Sequence, residues 1–112
     1  MQGLTVRWSL ADTDDDLAQQ LAEYVTDASW ERFTGMEGLR FKSWRMRQGE
    51  WFEGSYVFET SQAREEFQTA FTEKAGEAPV SLLIGEGPVS IESCRVLAVA
   101  EGGSGFKAFD RD

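Results

Sequence analysis

The stretch GLRFKSWRMRQGEWFEGSYVFET, residues 38–60, combines large aromatic rings with basic residues more densely than the rest of the chain. It predicts two strands joined by a turn at Gln48-Gly49, a weaker hairpin signal than Asn-Gly. Because successive side chains of a strand point to opposite faces, a two-residue turn fixes which residues share a face. One face then carries an apolar set that should meet the helices: Leu39, Phe41, Phe52, Tyr56 and Phe58. The other carries a mixture of rings and charges: Arg40, Lys42, Trp44, Met46, Trp51, Glu53, Ser55 and Val57.

The mixed face needs a cover, because its rings would form a large exposed patch in water. We expect a second copy of the chain to cover it, giving a homodimer through the open sheet face with an enclosed, barrel-like cavity. The polar members of the mixed face and Arg7 would point into that cavity. A bulge or a three-residue turn would instead shift residues 50–59 and bring Tyr56 and Phe58 to the open face, in place of Ser55 and Val57.

The segments on either side of this hairpin complete an α+β pattern. The alternation from Leu4 to Leu10 predicts a strand. A helix capped by Asp12 or Thr13 should follow and run to the Trp30–Phe33 region, where Gly35 can end it. The second half predicts a helix from Thr60 or Ser61 to Gly76, a loop over 77–88 with one short element at Val80 to Ile84, and a strand from Val89 to Val99. The order βαββαβ is that of a ferredoxin-like sandwich over residues 1–100, and the glycine-rich segment 101–112 should be a flexible tail.

The composition excludes several classes of function. The chain has 112 residues, which suits one domain, and its net charge of -9 argues against nucleic-acid binding. It contains no histidine, so serine–histidine and cysteine–histidine nucleophile pairs are excluded. The single cysteine, Cys94, fits a reducing compartment, and we expect an inert thiol. Because no signal peptide or membrane-length apolar run is visible, we expect a cytoplasmic protein with no membrane partner.

Two short motifs resemble those of a known family, over a layout covering about residues 4 to 100. Met36-Glu37-Gly38-Leu39 leads into Phe41-Lys42-Ser43-Trp44, where a lysine stands two residues before a tryptophan. Gly54-Ser55-Tyr56-Val57-Phe58-Glu59 is a glycine-containing strand that ends in an acid just before a helix. Together with the element order, these motifs resemble the dimeric α+β barrel proteins, and most closely the YdhR-like mono-oxygenases.

The resemblance implies a homodimer with one pocket per subunit, between helices and sheet or within the barrel. It also implies oxidation of a hydrophobic aromatic or phenolic small molecule by molecular oxygen, with no metal or organic cofactor. The deprotonated substrate would supply the electrons. The residues it suggests for substrate binding are Arg7, Lys42, Trp44, Ser55 and Tyr56, and no catalytic residue is assigned.

Each of these assignments has an alternative. Arg7 and Lys42 would instead pair with Glu53 or another acid across the sheet, because structural ion pairs often imitate active sites. Trp44 and Trp51 would serve dimer packing equally well. Tyr56 would act as a general acid or be a buried tyrosine with a satisfied hydroxyl. The whole chain would then be a non-catalytic dimeric binding protein, or an isomerase or cyclase that uses the same cavity.

Overall fold

The computed structural model describes residues 1–109 and shows an α+β fold. A single four-stranded antiparallel sheet packs against helices, an arrangement compatible with a ferredoxin-like fold. The elements in chain order are β1 Gln2–Ser9, α1 Asp15–Tyr24, a π-helical segment Val25–Ser29, α2 Trp30–Phe33, β2 Leu39–Arg47, β3 Trp51–Phe58, α3 Ser61–Glu73, a 3-10 turn Ala75–Glu77, α4 Pro79–Ile84 and β4 Ser90–Arg95.

The core lies between one face of the sheet and the helices. The strand order β2-β3-β1-β4 puts β1 and β3 at the centre. Their buried side chains face the helices: Leu4, Val6, Trp8, Phe52, Tyr56 and Phe58. The alternation of apolar and polar residues predicts this inner face for both strands. Leu17, Leu21 and Phe33 complete the core from the helical side.

The first helical region runs from Asp15 to Phe33 as predicted, but it is capped one residue later than expected. Asp14, rather than Asp12 or Thr13, is the cap, since its carboxylate accepts a hydrogen bond from the Leu17 N–H at 3.0 Å. Gly35 follows the helix with a φ of 78°, a conformation that favours glycine. The π-helical segment brings Ser29 into the interior, where it is buried.

The second half agrees with the prediction except at the element ends. Thr60 caps α3 by accepting a hydrogen bond from the Ala63 N–H, and α3 ends at Glu73, before Gly76. The short element expected at 80–84 is the helix α4, which starts at Pro79. The strand expected over 89–99 is shorter, because pairing with β1 stops at Arg95.

The predicted two-residue turn is wrong, and the face assignment of β2 changes with it. Arg47 pairs with Trp51, so the loop has three residues, with Gly49 at a φ of 76°. A bulge between Leu39 and Phe41 absorbs one further residue, which keeps Leu39 beside Phe58. Because the register shifts by one, the side chains of β2 from Phe41 onward change faces. Lys42, Trp44 and Met46 therefore lie on the helix side, and Phe41 lies on the open face.

The segment after β4, residues 96–109, which we name the tail, crosses part of the open face of the sheet. Residues 110–112 of the predicted flexible tail lie outside the described residues. Val96 lies over Gly3, where an added Cβ would come within 2.9 Å of Val96 Cγ2. Further along, Phe106 packs edge-on against Phe41 on the opposite edge strand, with ring centroids 5.1 Å apart. The tail thus passes from the β4 edge to the β2 edge and covers one end of this face.

None of the helices within residues 1–109 combines the length and the apolar character needed to cross a lipid bilayer.

Candidate functional site

A cavity of about 500 Å³ lies between the helix side of the sheet and the helices. This volume is in the range of small-molecule sites. Its walls are mainly aromatic, and we name it the Lys42 pocket after its central polar group. The residues that line it include Trp8, Phe33, Met36, Lys42, Trp44, Phe52, Tyr56, Phe67, Phe71 and Val80.

The floor of the Lys42 pocket is built by neighbouring strands. Lys42 pairs with Tyr56, and Trp44 pairs with Gly54, so these residues lie side by side on β2 and β3. A Cβ at Gly54 would lie 3.3 Å from the Tyr56 hydroxyl and 3.5 Å from Lys42 Cε. Gly54 therefore leaves the space over which the lysine and tyrosine side chains extend.

The amine of Lys42 is surrounded by aromatic rings. Its Nζ lies 3.4 Å from the ring centroid of Phe33, 4.4 Å from that of Tyr56 and 4.6 Å from that of Trp44. Among residues 1–109, Lys42 Nζ forms no hydrogen bond or ion pair. The rings offer the ammonium form a cation–π contact, so a protonated amine can stay in the same place.

Burial changes the proton affinity of both polar groups in the pocket. Desolvation, helped by the nearby Arg32 guanidinium, lowers the pKa of Lys42 from 10.5 to about 6. Burial raises the pKa of the Tyr56 hydroxyl. At neutral pH the pocket therefore presents an uncharged amine and an uncharged phenol side by side.

The mouth of the pocket is mainly basic. Arg32 and Lys74 are exposed there, and Glu77 is the acidic side chain among the lining residues. An apolar cavity with two cations at its rim and an amine inside suits a hydrophobic ligand that carries an anionic or ionisable oxygen.

Two serines hold tryptophan rings of the wall in place. Ser29, on the π-helical segment, accepts a hydrogen bond from Trp44 Nε1 at 3.0 Å. Ser81, on α4, accepts one from Trp8 Nε1 at 2.9 Å and donates to the Ala75 carbonyl at 2.6 Å. The rings therefore have fixed orientations before any ligand enters.

A separate ionic cluster occupies the open face of the sheet. Glu53 is 2% exposed and accepts hydrogen bonds from Arg7 Nε at 2.9 Å and Arg45 Nε at 2.9 Å. Burial alone would raise the pKa of Glu53, but the hydrogen bonds and charges of Arg7 and Arg45 outweigh it and hold that pKa below its usual value. Both guanidinium groups also lie over the ring of Trp51, at 4.5 and 5.4 Å.

The structure divides the five predicted binding residues between two faces. Lys42, Trp44 and Tyr56 meet in the Lys42 pocket, whereas Arg7 and Ser55 lie on the open face. The alternative in which Arg7 pairs with Glu53 is confirmed. The same alternative for Lys42 is wrong, because Lys42 lies on the other side of the sheet.

Sequence reasoning missed several members of the site. Phe33 makes the shortest ring contact to the amine, but the sequence indicates only that it lies near the end of a helix. Arg32 and Ser29 carried no sequence signal, because a π-helical turn changes which side chains point inward. Phe67 and Phe71, which lie four residues apart on one side of α3, complete the aromatic wall.

Within residues 1–109, no three Cys, Asp or Glu side chains come together in a way that would hold a metal ion. The chain matches no family model and no curated protein. The likeness to the YdhR-like mono-oxygenases therefore rests on the two motifs and the order of elements.

Proposed function

We propose that this protein is a cofactor-independent mono-oxygenase of the YdhR-like type, acting on a hydrophobic aromatic or phenolic small molecule in the Lys42 pocket. The observation that carries the proposal is the half-buried amine of Lys42, which three aromatic rings surround. Desolvation lowers its pKa to about 6, so the amine is mainly uncharged at neutral pH. Such an amine is a base, and the rings around it suit a flat apolar substrate.

The first step is proton transfer. The Lys42 amine takes the proton from the acidic oxygen of the substrate, which leaves an ammonium–phenolate pair in a cavity of low polarity. Coulomb attraction between the two is stronger there than in water. The Tyr56 hydroxyl stays protonated, because burial raises its pKa, and it can donate a hydrogen bond to the same oxygen.

The phenolate is the reductant for oxygen. In the simplest balanced case, a phenol with an unsubstituted para carbon and one molecule of oxygen give a para-quinone and water. One oxygen atom becomes the new carbonyl, and the other leaves as water with the two hydrogens of the O–H and C–H groups. The substrate supplies all the electrons, as the resemblance implies.

An oxygen electrode and a panel of hydroxyaromatic compounds test the proposal. We expect substrate-dependent oxygen consumption that Lys42→Met lowers by about 100-fold or more, the usual contribution of a general base. The matched control is Lys107→Met, since Lys107 is exposed on the tail and does not line the pocket. The rate constant kcat/KM should rise with pH through about 6, where Lys42 loses its proton.

Other outcomes select the alternatives. A substrate that raises the melting temperature without reaction would make the chain a binding protein. A change in the substrate spectrum without oxygen consumption would indicate an isomerase or cyclase.

We also propose the ferredoxin-like βαββαβ assignment and the dimeric α+β barrel, with a cytoplasmic location. The observed strand order and the helices on one face support the ferredoxin-like assignment. The dimeric barrel rests on the open face, where Trp51, Ser55 and Arg7 are only half-buried in one chain. In that assembly Arg7 and Ser55 would line the space between two sheets rather than the Lys42 pocket.

A further inference from the structure

Proton transfer is one of two reactions open to an uncharged lysine amine. The other is nucleophilic attack, for which the nitrogen lone pair must be free and its surroundings must admit the electrophile. Within the described residues, 1–109, Lys42 Nζ makes no hydrogen bond or ion pair that would occupy the lone pair. Its neighbours are ring faces, and it borders a cavity of about 500 Å³.

The geometry around Gly54 places a hydroxyl group, that of Tyr56, beside this amine. The position that a Cβ would take at Gly54 lies within 3.5 Å of both Lys42 Cε and the Tyr56 hydroxyl. A carbonyl group above Gly54 would therefore have the amine close to its carbon and the phenol close to its oxygen. Apolar walls would slow the return of water to the product.

We propose that Lys42 forms an imine with a hydrophobic aryl aldehyde or ketone bound in the Lys42 pocket. The nitrogen lone pair forms a bond to the carbonyl carbon as the C=O π bond breaks. The oxygen takes a proton from Tyr56 or water, and the positively charged nitrogen returns one proton to the group that gave it. The resulting carbinolamine loses its N–H proton and its hydroxyl group as water. The sum is amine plus carbonyl giving imine plus water, with no change of oxidation state.

This inference uses the same pocket as the proposed mono-oxygenase but needs no oxygen, so each can fail without the other. It extends the range of ligands from ionisable phenols to carbonyl compounds.

The chain offers a clean test, because it contains three lysines: Lys42, Lys74 and Lys107. The full-length protein is incubated without oxygen at pH 7 with 2-naphthaldehyde and sodium cyanoborohydride, which reduces an imine to a stable secondary amine. Intact mass counts the adducts, and peptide mapping locates them. We expect Lys42 to be labelled at least about tenfold faster than Lys74 or Lys107, since an ordinary lysine is almost wholly protonated at this pH.

Two further measurements separate chemistry from simple access. 2-Naphthol, which has the same shape but no carbonyl, should protect Lys42 and leave Lys74 and Lys107 unchanged. The labelling rate at Lys42 should rise with pH through about 6 and then level off. Lys42→Arg should remove the fast adduct, and Lys74→Arg should retain it.

The inference would be overturned if the label in the wild-type protein is spread over Lys74, Lys107 and the N-terminal amine while Lys42 reacts slowly or not at all. This outcome needs no variant, so it can be read even if the variants do not fold. Oxygen consumption without an adduct at Lys42 would overturn the imine alone. A selective adduct with no oxygen consumption on any hydroxyaromatic compound would support the imine and count against the mono-oxygenase.

Discussion

At the scale of single residues, Lys42 makes the stability of the protein depend on pH. Its pKa falls from 10.5 in the unfolded chain to about 6 in the folded one. Between these values the unfolded chain binds the additional proton, so stability increases with pH, by at most about 1.4 kcal/mol per pH unit. Below pH 6 the amine is protonated in both states, and the full cost of burying it is present.

We therefore expect Lys42→Met to be more stable than the wild type at pH 7, with a difference that shrinks as the pH rises toward 9.5. Urea unfolding of both proteins from pH 6.5 to 9.5 measures this. The upper limit keeps clear of Tyr56, whose raised pKa acts in the opposite direction once an unfolded tyrosine ionises near pH 10. Lys107→Met is the control and should show no such trend. A constant difference across the range would mean that Lys42 keeps its proton in the folded protein.

At the scale of elements, the sequence was sufficient for the strands and helices but not for the register between β2 and β3. The inner face of β1 could be predicted because only one of its two alternating sets of side chains is apolar, the set with Leu4, Val6 and Trp8. In the hairpin both faces of each strand carry aromatic rings: Phe41 and Trp44 lie on opposite faces of β2, and Trp51 and Phe52 on opposite faces of β3. Alternation therefore could not choose between a two-residue and a three-residue turn at Gln48-Gly49.

The consequence for the site was large, because a shift of one residue exchanges the two faces of a strand. Three of the five predicted binding residues, Lys42, Trp44 and Tyr56, do meet in one pocket. They meet there only because β2 is shifted and bulged relative to the expected pairing. No pattern in the sequence shows that Phe33 would reach the amine from the helical side.

The helix α4 gives a prediction at this scale, because Ser81 joins it to two other elements. The Ser81 hydroxyl is buried between Trp8 Nε1 of β1 and the Ala75 carbonyl. Ser81→Ala leaves both groups without that partner, so we expect a loss of about 1–3 kcal/mol in the free energy of unfolding, measured by urea denaturation. Ser61→Ala at the exposed start of α3 is the matched control and should change stability little. Equal effects of the two substitutions would show that Ser81 does not anchor α4.

At the scale of the whole molecule, the open face has one region that the tail covers and one region that a single chain leaves uncovered. Near Gly3 and Phe41 it is covered by the tail, and Val57 is buried there although it points away from the helices. The remaining region holds the Arg7–Glu53–Arg45 cluster, Trp51 and Ser55. This second region is the surface through which we expect two chains to pair.

Ser55 provides the test of that pairing, since it lies on the central strand β3, between Thr5 of β1 and Ser43 of β2. We expect native mass spectrometry to show a dimer for the wild type and a monomer for Ser55→Lys, because a lysine there would place an unpaired charge between the two sheets. Thr69→Lys, on the exposed side of α3, adds the same charge elsewhere and should remain dimeric. Circular dichroism would establish that both variants keep the fold. A monomeric wild type would contradict the barrel. The Lys42 pocket would be unaffected, because it lies on the other side of the sheet and is complete within one chain.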